Sequence, residues 1–225
     1  MRRERGNILF LILLAIVLFV ALNYAVMGQR EQSSPTMSAE QANTMAAQLI
    51  QNASLIENSI MRAMTVDGVP DYGFDFSGTG SNSTANATCV SGTCKMFLGK
   101  GGAVQPLLIP IKFSVDITGS QTYLKADFWV EEIINVGTSA PDLVIRYRAL
   151  RKEVCEAINR LAGNTDMVTI ASEQWDSYGD YTGTLTSFPP SFGQLGDSWA
   201  AIKGKRTFCM NHTHGYTFVH VLLAR

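Results

Sequence analysis

Hydrophobic side chains run unbroken, then recur at helical spacing, then alternate along this 225-residue chain. From Ile8 to Met27 there is no charged side chain and one amide, Asn23. About 20 residues at ~1.5 Å each can cross a hydrocarbon core of ~30 Å, so residues 7–28 are expected to form a transmembrane helix. After Gly28 and the polar Gln29 to Ser34, Ser38-Ala-Glu-Gln41 has the form of a capping box. Ala42, Met45, Ala46, Leu49, Ile50, Ala53, Ile56, Ile60 and Met64 then recur at steps of three and four. That spacing places them on one face of an amphipathic helix within residues 29–67, ended by Asp67-Gly-Val-Pro70. Packing of that face on the chain's own sheet is favoured over a partner helix.

Beyond it, residues 68–225 read as one globular α+β domain. Tyr72 to Thr88, rich in Gly, Ser, Asn and Thr, reads as a loop. Leu107 to Val115, interrupted by Pro110, suits an edge strand. Gln121 to Ile133 and Asp142 to Arg148 alternate, with Asp127, Glu131, Arg146 and Arg148 on the polar side, as half-buried strands do. Leu150, Val154, Ile158 and Leu161 mark a helix ending at Gly163. Asp166 to Ala171 is a short strand, and Lys205 to Asn211 with Tyr216 to Leu223 forms a hairpin turning at His212 to Gly215. The nearly continuous apolar run Thr217 to Leu223 suits a central strand.

Charge adds direction. Arg2, Arg3 and Arg5 stand before the apolar run, which keeps the N-terminus cytoplasmic and exports the remainder. A cleaved secretory signal fits less well, because the run is long and no Ala-x-Ala closes it. The chain carries 18 basic and 19 acidic residues, and without the three Arg and one Glu of residues 1–6 the balance is 15 against 18. This is no electrostatic footprint for nucleic acid.

Four cysteines in an exported region predict disulfides. Three pairings are open. Cys89 and Cys94 flank the turn-like Val90-Ser-Gly-Thr93, which favours a local loop and leaves Cys155 to staple Cys209. With no Cys-x-x-Cys, a metal or redox site is the weaker reading.

Glu173 to Gly204 is a long irregular stretch in which Trp175, Tyr178, Tyr181 and Trp199 stand among Gly, Ser and Asp. Such a stretch is a candidate partner or saccharide surface, although burial of the rings over the sheet is favoured. Asp176, Asp180 and Asp197 lack the spacing of a calcium loop, and His212, His214 and His220 have no nearby ligand beyond Cys209. Asn52, Asn82, Asn86 and Asn211 lie in Asn-x-Ser/Thr triplets, which carry meaning only on a eukaryotic secretory route. No phosphate loop, Gly-x-Ser-x-Gly or His-Glu-x-x-His occurs. The sequence therefore leads us to expect no enzyme activity, cofactor or metal.

A short basic leader ending in Gly6, an apolar helix running into an amphipathic half, and a β-rich domain together resemble the type IV pilin and type II secretion pseudopilin superfamily. The resemblance implies an α+β fold in which one long N-terminal helix, half membrane-spanning and half amphipathic, packs on an antiparallel sheet. It also implies cleavage between Gly6 and Asn7 by a prepilin peptidase, and methylation of Asn7. Expected partners are the lipid bilayer, other pilin-like subunits and that peptidase. The expected location is the bacterial inner membrane, single-pass, with the domain periplasmic or extracellular. Two positions depart from the family: Asn7 replaces the usual Phe, and Leu11 replaces the usual fifth-position Glu. In that family the buried carboxylate meets the free amine of a neighbouring subunit, which Leu11 cannot do. Tip-forming minor pseudopilins also lack this acid, so the resemblance implies a tip or priming subunit, or a pilin-like anchor that never polymerises. The competing expectation is a signal-anchored envelope protein whose β-rich domain binds a saccharide or protein.

Overall fold

The computed structural model describes residues 12, 14–19, 37–78, 80–83, 85–97, 104–115, 123–164, 168–169, 181–183, 185, 201–212 and 215–225. The chain forms two units, Met1–Thr36 and Met37–Arg225. In the first, residues 12 and 14–19 are helical and exposed.

Helix α1 (Ala39–Val66) opens as the capping box prescribes: the Ser38 hydroxyl accepts the Gln41 amide N–H at 3.2 Å. Its buried residues, Ala42, Met45, Ala46, Leu49, Ala53, Ile56, Ile60 and Ala63, follow the expected stripe. Ile50 and Met64 are only half-buried. Asn52, midway along, acts like an extra strand. Its amide donates to the Gln105 carbonyl at 2.9 Å and its oxygen accepts the Leu107 N–H at 3.0 Å, tying an extended strap to the helix.

The remaining elements are β1 (Ile109–Pro110), β2 (Tyr123–Leu124), β3 (Asp127–Glu131), β4 (Asp142–Leu150), α2 (Lys152–Leu161), β5 (Val168–Thr169), β6 (Thr207–His212) and β7 (Gly215–Leu223). β1 and β2 pair with each other; the main sheet has the order β3-β4-β7-β6-β5. The apolar β7 is central, as its composition predicts, and the β6–β7 hairpin closes with His212 opposite Gly215. Gly215 adopts φ +109°, and a Cβ there would stand 2.6 Å from Val115 and 3.2 Å from Ala149, beside the irregularity in the β4–β7 ladder. Glycine is required at that contact.

Three expectations are corrected. The first is the long continuous helix. Ser38 has extended backbone (φ −64°, ψ 147°), so α1 begins there and does not continue a preceding helical half. Among the described residues no helix is long and apolar enough to cross a membrane. The fold of the described residues is α+β, and the expected membrane-spanning N-terminal helix is not among them.

Second, the sheet is not wholly antiparallel. β3–β4, β4–β7 and β7–β6 are antiparallel, whereas β5 runs parallel to β6.

Third, the strands are not half-buried. All five residues of β3 are buried, as is Arg146 on β4. One sheet face packs on α1 and α2 through Phe128, Ile145, Tyr147, Phe218 and Leu222. The other carries a second core in which Trp129, Val144, Phe208, Val219 and Val221 meet Ile133, Val136 and Ile202. Alternation assigned the faces, but what covers the second face comes from residues distant in sequence.

Both cysteine expectations hold. Cys89–Cys94 closes a local loop with Cα atoms 5.7 Å apart, and Cys155–Cys209 joins α2 to β6 at 5.3 Å.

Candidate functional site

Helix α1 ends in a tight turn. The amide N–H groups of Asp67 and Val69 both donate to the Ala63 carbonyl at 3.1 Å, and Gly68 takes the left-handed conformation (φ +66°) that a glycine adopts freely. The chain then turns at Pro70, whose carbonyl accepts the Gly73 N–H at 2.8 Å, and enters the core at Phe74. There the Asp75 N–H donates to the Cys94 carbonyl and the Met96 N–H to the Asp75 carbonyl, both at 2.9 Å. This short parallel pairing sets the Cys89–Cys94 loop beside residues 67–73.

Two buried side chains fix the arrangement. The Asn86 amide donates to the carbonyls of Tyr72 (3.0 Å) and Phe74 (2.8 Å), while its oxygen accepts the N–H and hydroxyl of Thr88. The Tyr181 hydroxyl donates to the Asp71 carbonyl at 2.9 Å and accepts the Phe74 N–H at 3.3 Å. Burial raises the Tyr181 phenol above its ordinary pKa, so it stays a donor. Between the two loops lies a cavity of about 220 Å³, lined by Asp67, Tyr72, Thr88, Val90, Ser91 and Thr93 among others. Tyr72 is 53% and Val90 93% exposed at its mouth.

A larger groove, about 480 Å³, lies along the first turns of α1. Met45, Leu107, Pro110 and Phe113 make it apolar, with Glu40 and Lys112 at its margin. The Lys112 ammonium sits 5.0 Å from the Phe113 ring centroid.

Two polar clusters are internal. His220 bridges the sheet to α1: Nδ1 meets the Thr207 hydroxyl at 2.7 Å and Nε2 the Glu57 carboxylate at 3.1 Å, with Arg206 on the other Glu57 oxygen at 2.7 Å. Burial lowers the His220 pKa, against the opposing pull of Glu57. A hydroxyl, an imidazole and a carboxylate in line are the parts of a nucleophilic relay. Here His220 is 5% exposed and neither cavity includes the trio, so the arrangement works as a clamp between α1 and the hairpin.

The second cluster lies under the outer sheet face. Asp127 receives Arg148 at 2.8 Å, the Asn82 amide at 2.9 Å and Arg146 at 3.7 Å, and the Arg146 guanidinium lies over the Trp129 ring at 3.0 Å. Asp142, paired in register with Glu131, is pushed up to about 6 by burial, although the Arg225 and Ile133 N–H groups donate to it.

Of the residues singled out from sequence, Gly6, Asn7, Trp175, Tyr178 and Trp199 lie outside the described residues, as do Asp176, Asp180, Asp197 and His214. Tyr181 is 1% exposed, so it is core and not part of a displayed surface. The side chains of Asn52, Asn82 and Asn86 are engaged internally. Among the described residues no group of His, Cys, Asp and Glu could hold a metal ion. Sequence reasoning missed Asp67 and Tyr72. The available signal was an acid at a helix C-terminus, where the helix dipole favours a base.

No family model, no curated protein and no solved structure matches the chain.

Proposed function

We propose that this chain is a structural, non-enzymatic, pilin-like subunit. It is attached at a bacterial inner membrane, and its α+β body is displayed outside the cytoplasm as a minor component of a type IV filament or type II secretion-type assembly. The single observation that carries the export half is the disulfide pair: Cys89–Cys94 and Cys155–Cys209 pair all four cysteines. Such bonds persist in oxidising compartments. The basic leader and apolar run of the sequence supply a route there. The assembly half draws on the resemblance of the first 65 residues, and on Leu55 and Val66, which stay 44% and 71% exposed on one face of α1, where a neighbouring subunit can cover them.

A second reading, an anchored binding module that neither is processed nor assembles, is favoured by one feature: the pre-shaped cavity beside the Cys89–Cys94 loop. Cleavage between Gly6 and Asn7 separates the two readings. N-terminal sequencing after co-expression with a prepilin peptidase is expected to begin at Asn7. A Met1 start in the presence of active peptidase contradicts the pilin-like role.

A further inference from the structure

We propose that the cavity at the end of α1 is a receptor for one cationic side chain, Lys or Arg, presented by a partner protein. The inference stands on this cavity and does not depend on the pilin-like reading.

Charge selects the occupant. Asp67 is the one acidic or basic residue among those lining the cavity. It caps the C-terminus of a 28-residue helix whose last turn holds no basic residue. The backbone carbonyls there already carry partial negative charge, so an acid at this position works against the helix dipole, and a bound cation relieves that repulsion. Among the described residues no hydrogen bond or ion pair engages the Asp67 carboxylate, whereas nearby Asp71 is taken by Arg225 at 3.2 Å.

Shape and chemistry agree. Tyr72, half-exposed, lines the same cavity as Asp67, and a carboxylate together with an aromatic ring is a combination that favours a cation. Thr88, Ser91 and Thr93 add hydroxyl oxygens able to accept from an ammonium or guanidinium. At about 220 Å³ the space suits one long side chain and little more. The walls are set in advance by the Cys89–Cys94 bridge, Asn86 and Tyr181, which limits the ordering cost of binding. The groove at the other end of α1 carries both signs of charge, so charge there selects no occupant.

The test is a titration of the full-length, detergent-solubilised protein with acetyl-Gly-Arg-Gly-amide and its lysine counterpart, read by amide shifts in protein NMR. Shifts at Gly68, Tyr72, Ser91 and Thr93 are expected, with a Kd on the order of millimolar, weakened about tenfold by Asp67→Asn and by Tyr72→Ala. Asp67→Asn keeps the fold, because the helix end uses only the Asp67 backbone N–H, and its thermal midpoint is expected to rise slightly. Glu156→Gln, which removes the same charge from the exposed face of α2, is expected to leave the titration unchanged. Equal weakening by Glu156→Gln would reveal diffuse attraction and overturn the proposal. So would the absence of shifts at these amides, or their displacement by a neutral methyl glycoside.

Discussion

The Asn159 side chain pairs with both backbone groups of Cys209: its amide donates to the Cys209 carbonyl at 2.7 Å and its oxygen accepts the Cys209 N–H at 2.8 Å. One face of α2 thus completes the ladder of β6 one helical turn from the Cys155–Cys209 bridge. Asn159→Ala leaves two buried backbone groups without partners, which costs about 2–4 kcal/mol. Asn159→Asp is expected to be no better, since a carboxylate oxygen then faces the Cys209 carbonyl. Urea unfolding with disulfides intact measures both; a loss under about 0.5 kcal/mol for Asn159→Ala would contradict the pairing.

The two bridges differ in reach. Cys155–Cys209 spans 54 residues and Cys89–Cys94 spans 5. In the chain-entropy account, removing them as Cys→Ala pairs costs about 4 and about 2 kcal/mol respectively. Equilibrium unfolding of the two double variants is expected to rank them in that order. The Cys89/Cys94 pair variant should in addition weaken the cation site, because it frees one wall of the cavity.

Acid acts on His220 and Asp142 in opposite directions. His220 has a folded pKa below its ordinary value, so its contribution is complete above about 6.5 and is lost as pH falls toward the folded pKa. Asp142 has a folded pKa raised to about 6, so its contribution is full below its ordinary range and is lost as pH rises through 6. His220→Gln removes the first effect and keeps the second. Between pH about 7 and about 4, that variant is therefore expected to gain more, or lose less, stability on acidification than the parent. Parallel curves for the two proteins would contradict the assignment.

Gly183 holds φ +96°, and a Cβ there would run into the Asn86 carboxamide. Gly183→Ala combines backbone strain with displacement of a buried, fully hydrogen-bonded side chain, so a loss of about 2–4 kcal/mol is expected. Gly92, where a Cβ meets nothing within 4 Å, provides the contrast. Gly92→Ala is expected to change the thermal midpoint little.

Local rules were legible in the sequence where neighbours alone decide the outcome. Ser38 and Gln41 announced the start of α1, the spacing of Leu49, Ile56 and Ile60 gave its buried face, and the apolar run of β7 placed it centrally. The exposed side of Asp127, Glu131 and Arg146 was misread. Strand alternation tells which residues share a face, but the cover over that face comes from Ile133, Val136 and Ile202, and Arg146 is neutralised by Asp127 from a neighbouring strand. The α1 cavity was equally hidden, since residues 67–73 and 88–94 are brought together by the bonds of Asp75 with Cys94 and Met96 and by those of Asn86 with Tyr72, Phe74 and Thr88. Its legible trace was Asp67 itself.

The intact, non-reduced mass of the protein extracted from prepilin-peptidase-positive cells tests the pilin-like account most directly. The account predicts loss of Met1 to Gly6, one added methyl on Asn7, and the hydrogen deficit of two disulfides. A mass that retains Met1 to Gly6 in those cells contradicts it, and leaves an anchored binding module built on the same body.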